Sequence, residues 1–275
     1  MPRGVPKAGF RNRNNVTVLP TKSVETDSEI SNRIGERFEI LDLLTKQTVY
    51  GDGRALIISG PPGLGKSFQV ENILKQYDES EETFKIVKGY CRATGLMRLL
   101  HEYRHEGNCI VFDDSDSIFN CDTSLNLLKA VLDTTEKRHV SWLSEGRLVD
   151  EDTGEAIPQH FEFNGSIIFI TNLDFDSLIH KQHKLAPHLE ALQSRAHYLD
   201  LTLKTPRDYL IRILDVIDGG MLGTMSDTMK ADVIKFLTTN YLNVRELSLR
   251  TAIKLKSIRE HNDNWEKIAR ITMIR

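Results

Sequence analysis

Apolar positions along this chain recur with two different periods. Over residues 28–48, Ile30, Ile34, Phe38, Leu41 and Leu44 fall three or four apart, the spacing of one face of an amphipathic helix. Gly51 and Gly53 then break the pattern. The continuous apolar runs at 54–59, 108–112 and 165–171 have no alternation and predict strands buried on both faces. Weaker strands are expected at 83–87 and 196–201. Helices are expected at 66–77, 94–105, 123–135 and 189–193, the third of these carrying Leu125, Leu128 and Leu132 at helical spacing. Strands alternating with helices predict right-handed crossovers and an α/β fold with a parallel sheet covered on both faces. After Thr205 the strand pattern stops. Pro206 and Asp208 mark a helix start, and further helices are expected at 227–239, 244–260 and 264–271. That stretch predicts a small, net basic, all-helical lid.

The first buried strand runs into GPPGLGKS, which has the form G-x-x-x-x-G-K-[ST] of a phosphate-binding (Walker A) loop. The spacing has a chemical reason. Gly60 and Gly65 let the backbone curl so that successive N–H groups point at phosphate oxygens. Lys66 is a mobile cation for the β- and γ-phosphates, and Ser67 brings a hydroxyl to Mg²⁺. The helix that follows adds its positive dipole end to the anion site. Gly60, Pro61, Pro62, Gly63, Leu64, Gly65, Lys66, Ser67 and Phe68 are therefore the expected binding residues for ATP.

One strand–helix unit later, the run CIVFDD ends in Asp113 and Asp114. An apolar strand with carboxylates at its C-terminal end, in the crevice of a parallel sheet, is a Walker B pattern. Asp113 is expected to support Mg²⁺ through water, and Asp114 to orient and activate the attacking water.

Over roughly residues 30–260 the chain resembles the AAA+ ATPases, a family of P-loop NTPases with a helical lid. The resemblance divides it into a basic tail (1–27, expected to be disordered), an AAA+ α/β nucleotide-binding core (28–204) and a helical lid (205–275). It also implies roles. Asn172, at the end of IFITN, looks like sensor I, which holds water near the γ-phosphate. Arg195, in the clamp-loader-like QSR before a strand, sits at the arginine-finger position and would act in the neighbouring subunit's site. Arg245, in NVREL, looks like sensor II at the start of a lid helix, with Arg250 as the other candidate. One departure matters. The family usually has Glu where this chain has Asp114, one methylene shorter. A misplacement of about 1 Å can cost on the order of 100-fold, which predicts slow hydrolysis unless the backbone compensates. Asp116 is a weaker candidate for the same work.

Residues 139–163 exceed what a helix-to-strand connection needs. Strands at 140–143 and 160–163 around the polar turn DEDTG predict a β-hairpin. It resembles the insertion of one AAA+ branch that faces the ring's pore, which would make Arg138, Trp142 and Arg147 substrate contacts. The alternative is an edge hairpin that only extends the sheet. His101 and His105 form a literal H-E-x-x-H, a zinc-protease pattern. It lies between the two Walker motifs with no third ligand at a known spacing, so it reads as coincidence. His180, His183 and His188 lack a matching carboxylate or cysteine pattern and read as a polar loop.

Composition narrows the partners only slightly. The net charge of −3 gives no overall signal for nucleic acid, but residues 1–24 hold five basic residues and no acid. Such a segment can touch nucleic acid or merely solubilise. No apolar run nears the ~20 residues of a membrane span, and no signal-peptide core is present. Three cysteines without C-x-x-C spacing point to a reducing cytoplasm. The resemblance implies a homo-oligomeric ring, expected to be a hexamer, that acts on DNA or a DNA-bound complex. A protein-remodelling ATPase and an ATP-binding switch with little turnover are the alternatives, with Gly89 and Tyr90 the one hint of an aromatic pore loop. The compact size fits a subunit encoded by a virus or mobile element.

Overall fold

The computed structural model describes residues 25–51, 53–143, 146–150 and 154–275. The basic segment 1–24 and the turn residues 151–153 lie outside the described residues. Helix α1 (Asp27–Tyr50) starts from a capping box in which Thr26 Oγ1 accepts from Glu29 N–H and the Glu29 carboxylate accepts from Thr26 N–H. Then come β1 (Ala55–Ser59), α2 (Lys66–Tyr77), β2 (Phe84–Lys88), α3 (Ala93–Glu102) and β3 (Cys109–Asp113). A 3₁₀ turn (Asp116–Asn120) leads to α4 (Asp122–Val131) and the hairpin strands β4 (His139–Ser141) and β5 (His160–Glu162). The core continues with β6 (Ser166–Thr171), α5 (Phe175–His180), α6 (Ala186–Gln193) and β7 (His197–Asp200).

Five strands form a parallel sheet in the order β2-β3-β6-β1-β7. Alternation along β1 explains its unbroken apolar run. Ala55 and Ile57 face one cluster with α3, α4 and α6, whereas Leu56 and Ile58 face the other with α1 and α2. A third apolar cluster joins α7 (Pro206–Asp218), α8 (Asp227–Asn240), α9 (Leu249–His261) and α10 (Trp265–Met273). Ion pairs fasten α7 to α1: Arg33 to Asp208 at 3.3 Å, and Arg207 to Asp27.

The sheet order sets up the site. β6 lies between β1 and β3, so three chain segments far apart in sequence end side by side at one edge. The expected parallel strands fall within a residue or two of the observed ones, and the hairpin forms, with β4 and β5 antiparallel.

Three expectations need correction, and one helix was not expected. α3 stops at Glu102, so His101 and His105 are not on one continuous helix; His101 instead meets the Phe161 ring edge-on at 5.1 Å. α4 ends at Val131 rather than near 135. The short α5 escaped the periodicity because its six residues make fewer than two turns. The last correction is the largest. Residues 244–248 are not helical: Arg245 N–H bonds Met273 O, Arg275 N–H bonds Asn243 O, and Val244 bridges Ile274. This pairing with the chain's end delays the start of α9 to Leu249.

Candidate nucleotide-binding cleft

Beyond β1 the chain folds into a tight loop that opens α2. Gly63 and Gly65 have φ of +75° and +95°, left-handed values that a residue with a Cβ adopts only under strain. Gly65 is also the first cap of α2, so the helix N-terminus and the loop amides converge. Beside them opens a cleft of about 1000 Å³ between core and lid. Pro62, Gly63, Leu64, Gly65, Lys66, Ser67 and Phe68 line it on the loop side, Asp114 and Asn172 at the sheet edge, and Arg212, Leu249 and Arg250 on the lid side.

The polar groups of the three strand ends are connected. Lys66 is buried, and its Nζ donates to Gly60 O, to Pro61 O at 3.0 Å and to Asn172 Oδ1 at 3.1 Å. Asn172 Nδ2 in turn donates to Asp114 Oδ1 at 2.8 Å. Burial pushes the Lys66 ammonium down to about 8, although Asp114, Asp113 and Asp116 pull it upward. Ser67 Oγ donates to Asp113 Oδ1 at 2.7 Å, and Lys88 Nζ lies 3.7 Å from the other Asp113 oxygen. This hydroxyl–carboxylate pair is a hard-oxygen donor set that suits Mg²⁺, with Ser67 able to ligate and Asp113 able to hold its water. Asp114 has φ +52°, a left-handed backbone that Asp tolerates better than most residues, and its N–H bonds Ile170 O at 2.9 Å. Asp116 is turned away from the cleft lining. Its carboxylate accepts from Thr171 Oγ1 at 2.6 Å, and burial pushes it above the usual carboxylate range.

The expected arginines separate. Arg195 follows α6 and donates from Nη1 to Ala191 O at 2.7 Å, outside this chain's own cleft lining. Arg245 was expected to open a lid helix at the cleft. It donates instead from Nε to Ile274 O at 3.1 Å and is not in the cleft wall, because the helix starts later. Arg250, one residue into α9, is in that wall. Sequence reasoning missed two contacts. Leu249 N–H bonds Gly63 O at 2.9 Å, tying the lid to the phosphate loop. Arg212, on α7, lines the cleft, and nothing in its local sequence marks it.

The hairpin residues also divide. Arg138 is not a substrate contact: it is buried, with Nη1 donating to Val131 O at 2.9 Å and Nη2 to Gly165 O at 3.0 Å, over the Phe163 ring. It anchors the hairpin base. Trp142 packs against the core, whereas Arg147 is exposed.

No protein-family model matches the chain. Over 250 residues it is 36% identical to an uncharacterized 36.7 kDa protein in the nrdC–mobD intergenic region of Enterobacteria phage T4, covering 89% of this chain and 76% of the phage protein. Among solved structures, Aeropyrum pernix ORC1 in complex with DNA matches with a TM-score of 0.50 at 13% identity, over 86% of this chain and 64% of that one. Thermotoga maritima RuvB matches with a TM-score of 0.49 at 13% identity, over 89% of this chain and 70% of that one. No described helix is long and apolar enough to cross a membrane. The parallel sheet, the loop before α2 and the helical C-terminal unit are the AAA+ P-loop ATPase fold, and the chain belongs to the same family as the phage T4 protein.

Proposed function

We propose that this chain is an AAA+ ATPase that binds ATP with Mg²⁺ in the cleft and hydrolyses it. The observation that carries this reading is the continuous link from Lys66 through Asn172 to Asp114, beside the Ser67–Asp113 pair. The loop amides from Gly63 to Ser67 cradle the phosphates, and Lys66 leaves its carbonyl partners for the β- and γ-phosphates. Ser67 and Asp113 would hold Mg²⁺, which when bound would supply positive charge to the phosphates. Asp114 takes the proton of the attacking water while Asn172 fixes its carboxylate. Arg250 serves the γ-phosphate from the lid, the role that the family resemblance gave to Arg245. Arg195 serves the neighbouring site in a homo-oligomeric ring of six, working in the cytoplasm on DNA or a DNA-bound complex. The basic segment 1–24 and the DNA-bound state of a protein with this fold support that substrate.

A second reading, an ATP-binding switch with little turnover, is favoured by one feature. Asp114 is short, left-handed and already engaged by Asn172. Steady-state ATP turnover, alone and with single-stranded or duplex DNA, separates the two, with Lys66→Ala as the blank. Turnover that DNA raises several-fold supports the ATPase acting on DNA. Turnover indifferent to DNA moves the substrate to a protein, and tight binding without turnover leaves the switch.

A further inference from the structure

Arg212 stands out among the cations at the junction of core and lid. Two other arginines at that junction are matched with acids: Arg33 with Glu25 and Asp208, Arg207 with Asp27. Arg212 is half-buried, and its guanidinium carbon lies 3.4 Å from the centroid of the Phe38 ring on α1. Its Nη2 lies 3.5 Å from Leu64 O in the phosphate loop, and its Nε has no hydrogen-bond partner among the described residues. The acid that acts on it, Asp215 one turn along α7, accepts instead from Ser31 Oγ at 2.9 Å. Desolvation without a matched anion pushes the guanidinium down to about 10. A guanidinium held over an aromatic ring by a residue of the cleft wall, with donor capacity not spent on any acid, suits a planar or tetrahedral oxyanion.

The loop says which anion. A Cβ added to Gly65 would lie 3.9 Å from Arg212 Nη2, whereas the Arg250 side chain approaches Gly63. Gly65 caps α2, so Arg212 addresses the amides at the helix start rather than the strand-end groups around Asp114.

Resting on the reading of this cleft as an ATP site, we infer that Arg212 is a nucleotide-binding residue that takes the α- and β-phosphates from the lid side. Both phosphates persist after hydrolysis. Arg212 therefore holds the diphosphate as firmly as the triphosphate and keeps α7 engaged with the product, a duty separate from any contact to the γ-phosphate.

The test compares ADP and ATP affinities of wild type, Arg212→Met and Arg212→Lys by titration calorimetry, together with the melting temperature of each without nucleotide. Arg212→Met should lose about 10- to 100-fold for both nucleotides equally, the worth of a charge-assisted contact. Its nucleotide-free melting temperature should stay level or rise, since a partly desolvated, unmatched cation has been removed. Arg212→Lys should recover part of the affinity. Unchanged affinities overturn the inference, as does a loss confined to ATP or a loss that comes with a lower nucleotide-free melting temperature. A wild-type chain that binds neither nucleotide defeats the ATPase reading itself. One that binds both while Arg212→Met binds equally well defeats this inference alone.

Discussion

Asn172 joins Lys66 to Asp114, accepting from the lysine at 3.1 Å and donating to the carboxylate at 2.8 Å. Its two ends are thus committed to the cation and to the acid of the proposed reaction. Asn172→Ala should leave ATP affinity within about threefold and lower turnover about 100-fold, the usual cost of one positioned donor. Equilibrium binding and single-turnover hydrolysis check this. An equal loss in both would make Asn172 a structural residue.

Gly63 meets the lid with no room to spare. A Cβ there would stand 2.7 Å from Ser248 Cβ, and the backbone has φ +75°. Gly63→Ala should therefore push the lid from the loop, lowering the melting temperature by about 5 °C and weakening ATP binding together. Thermal unfolding with and without ATP reads both effects, and an unchanged melting temperature would refute the contact.

Lys66 sets a pH dependence. Its free-state value of about 8 lies below the ordinary lysine value, and phosphate oxygens favour the protonated form. ATP affinity should hold steady below pH ~8 and fall about tenfold per unit above it, with binding taking up a proton there. Calorimetry near pH ~9 in two buffers of different ionisation heat measures that uptake. A binding heat independent of buffer would exclude Lys66 as the phosphate cation.

Arg195 lies outside the cleft of its own chain, so its loss should be felt next door. Arg195→Ala and Asp114→Asn should each bind ATP and hydrolyse little. Mixed, they should regain turnover at the sites that combine an intact Asp114 with an intact Arg195. No regain at any mixing ratio would sink the arginine finger.

The legible parts of this molecule are those fixed by neighbours in sequence. The phosphate loop could be read because its glycines, Lys66 and Ser67 must stand at set spacings. β1, β3 and β6 could be read because strands buried on both faces leave unbroken apolar runs. Arg245 and Arg250 could not be sorted locally, because the start of α9 depends on Arg245 bonding to Met273, 28 residues later. Arg138 reads as a substrate contact in the sequence, because nothing local announces its two carbonyl partners, Val131 and Gly165. Arg212 left no local mark, because its ring, Phe38, comes from the other end of the chain.

The hydrogen bond from Leu249 to Gly63 places the lid's third helix on the loop that would grip the phosphates. With Ser248 beside the same glycine, a shift of the loop by an ångström or more must either break that bond or carry α9 along. The far end of α9 lies about 18 Å away at 1.5 Å per residue, so small rotations at Gly63 become large arcs there. Gly63 is thus the fulcrum of a lever, and the outer surface of the lid is where its stroke would be greatest.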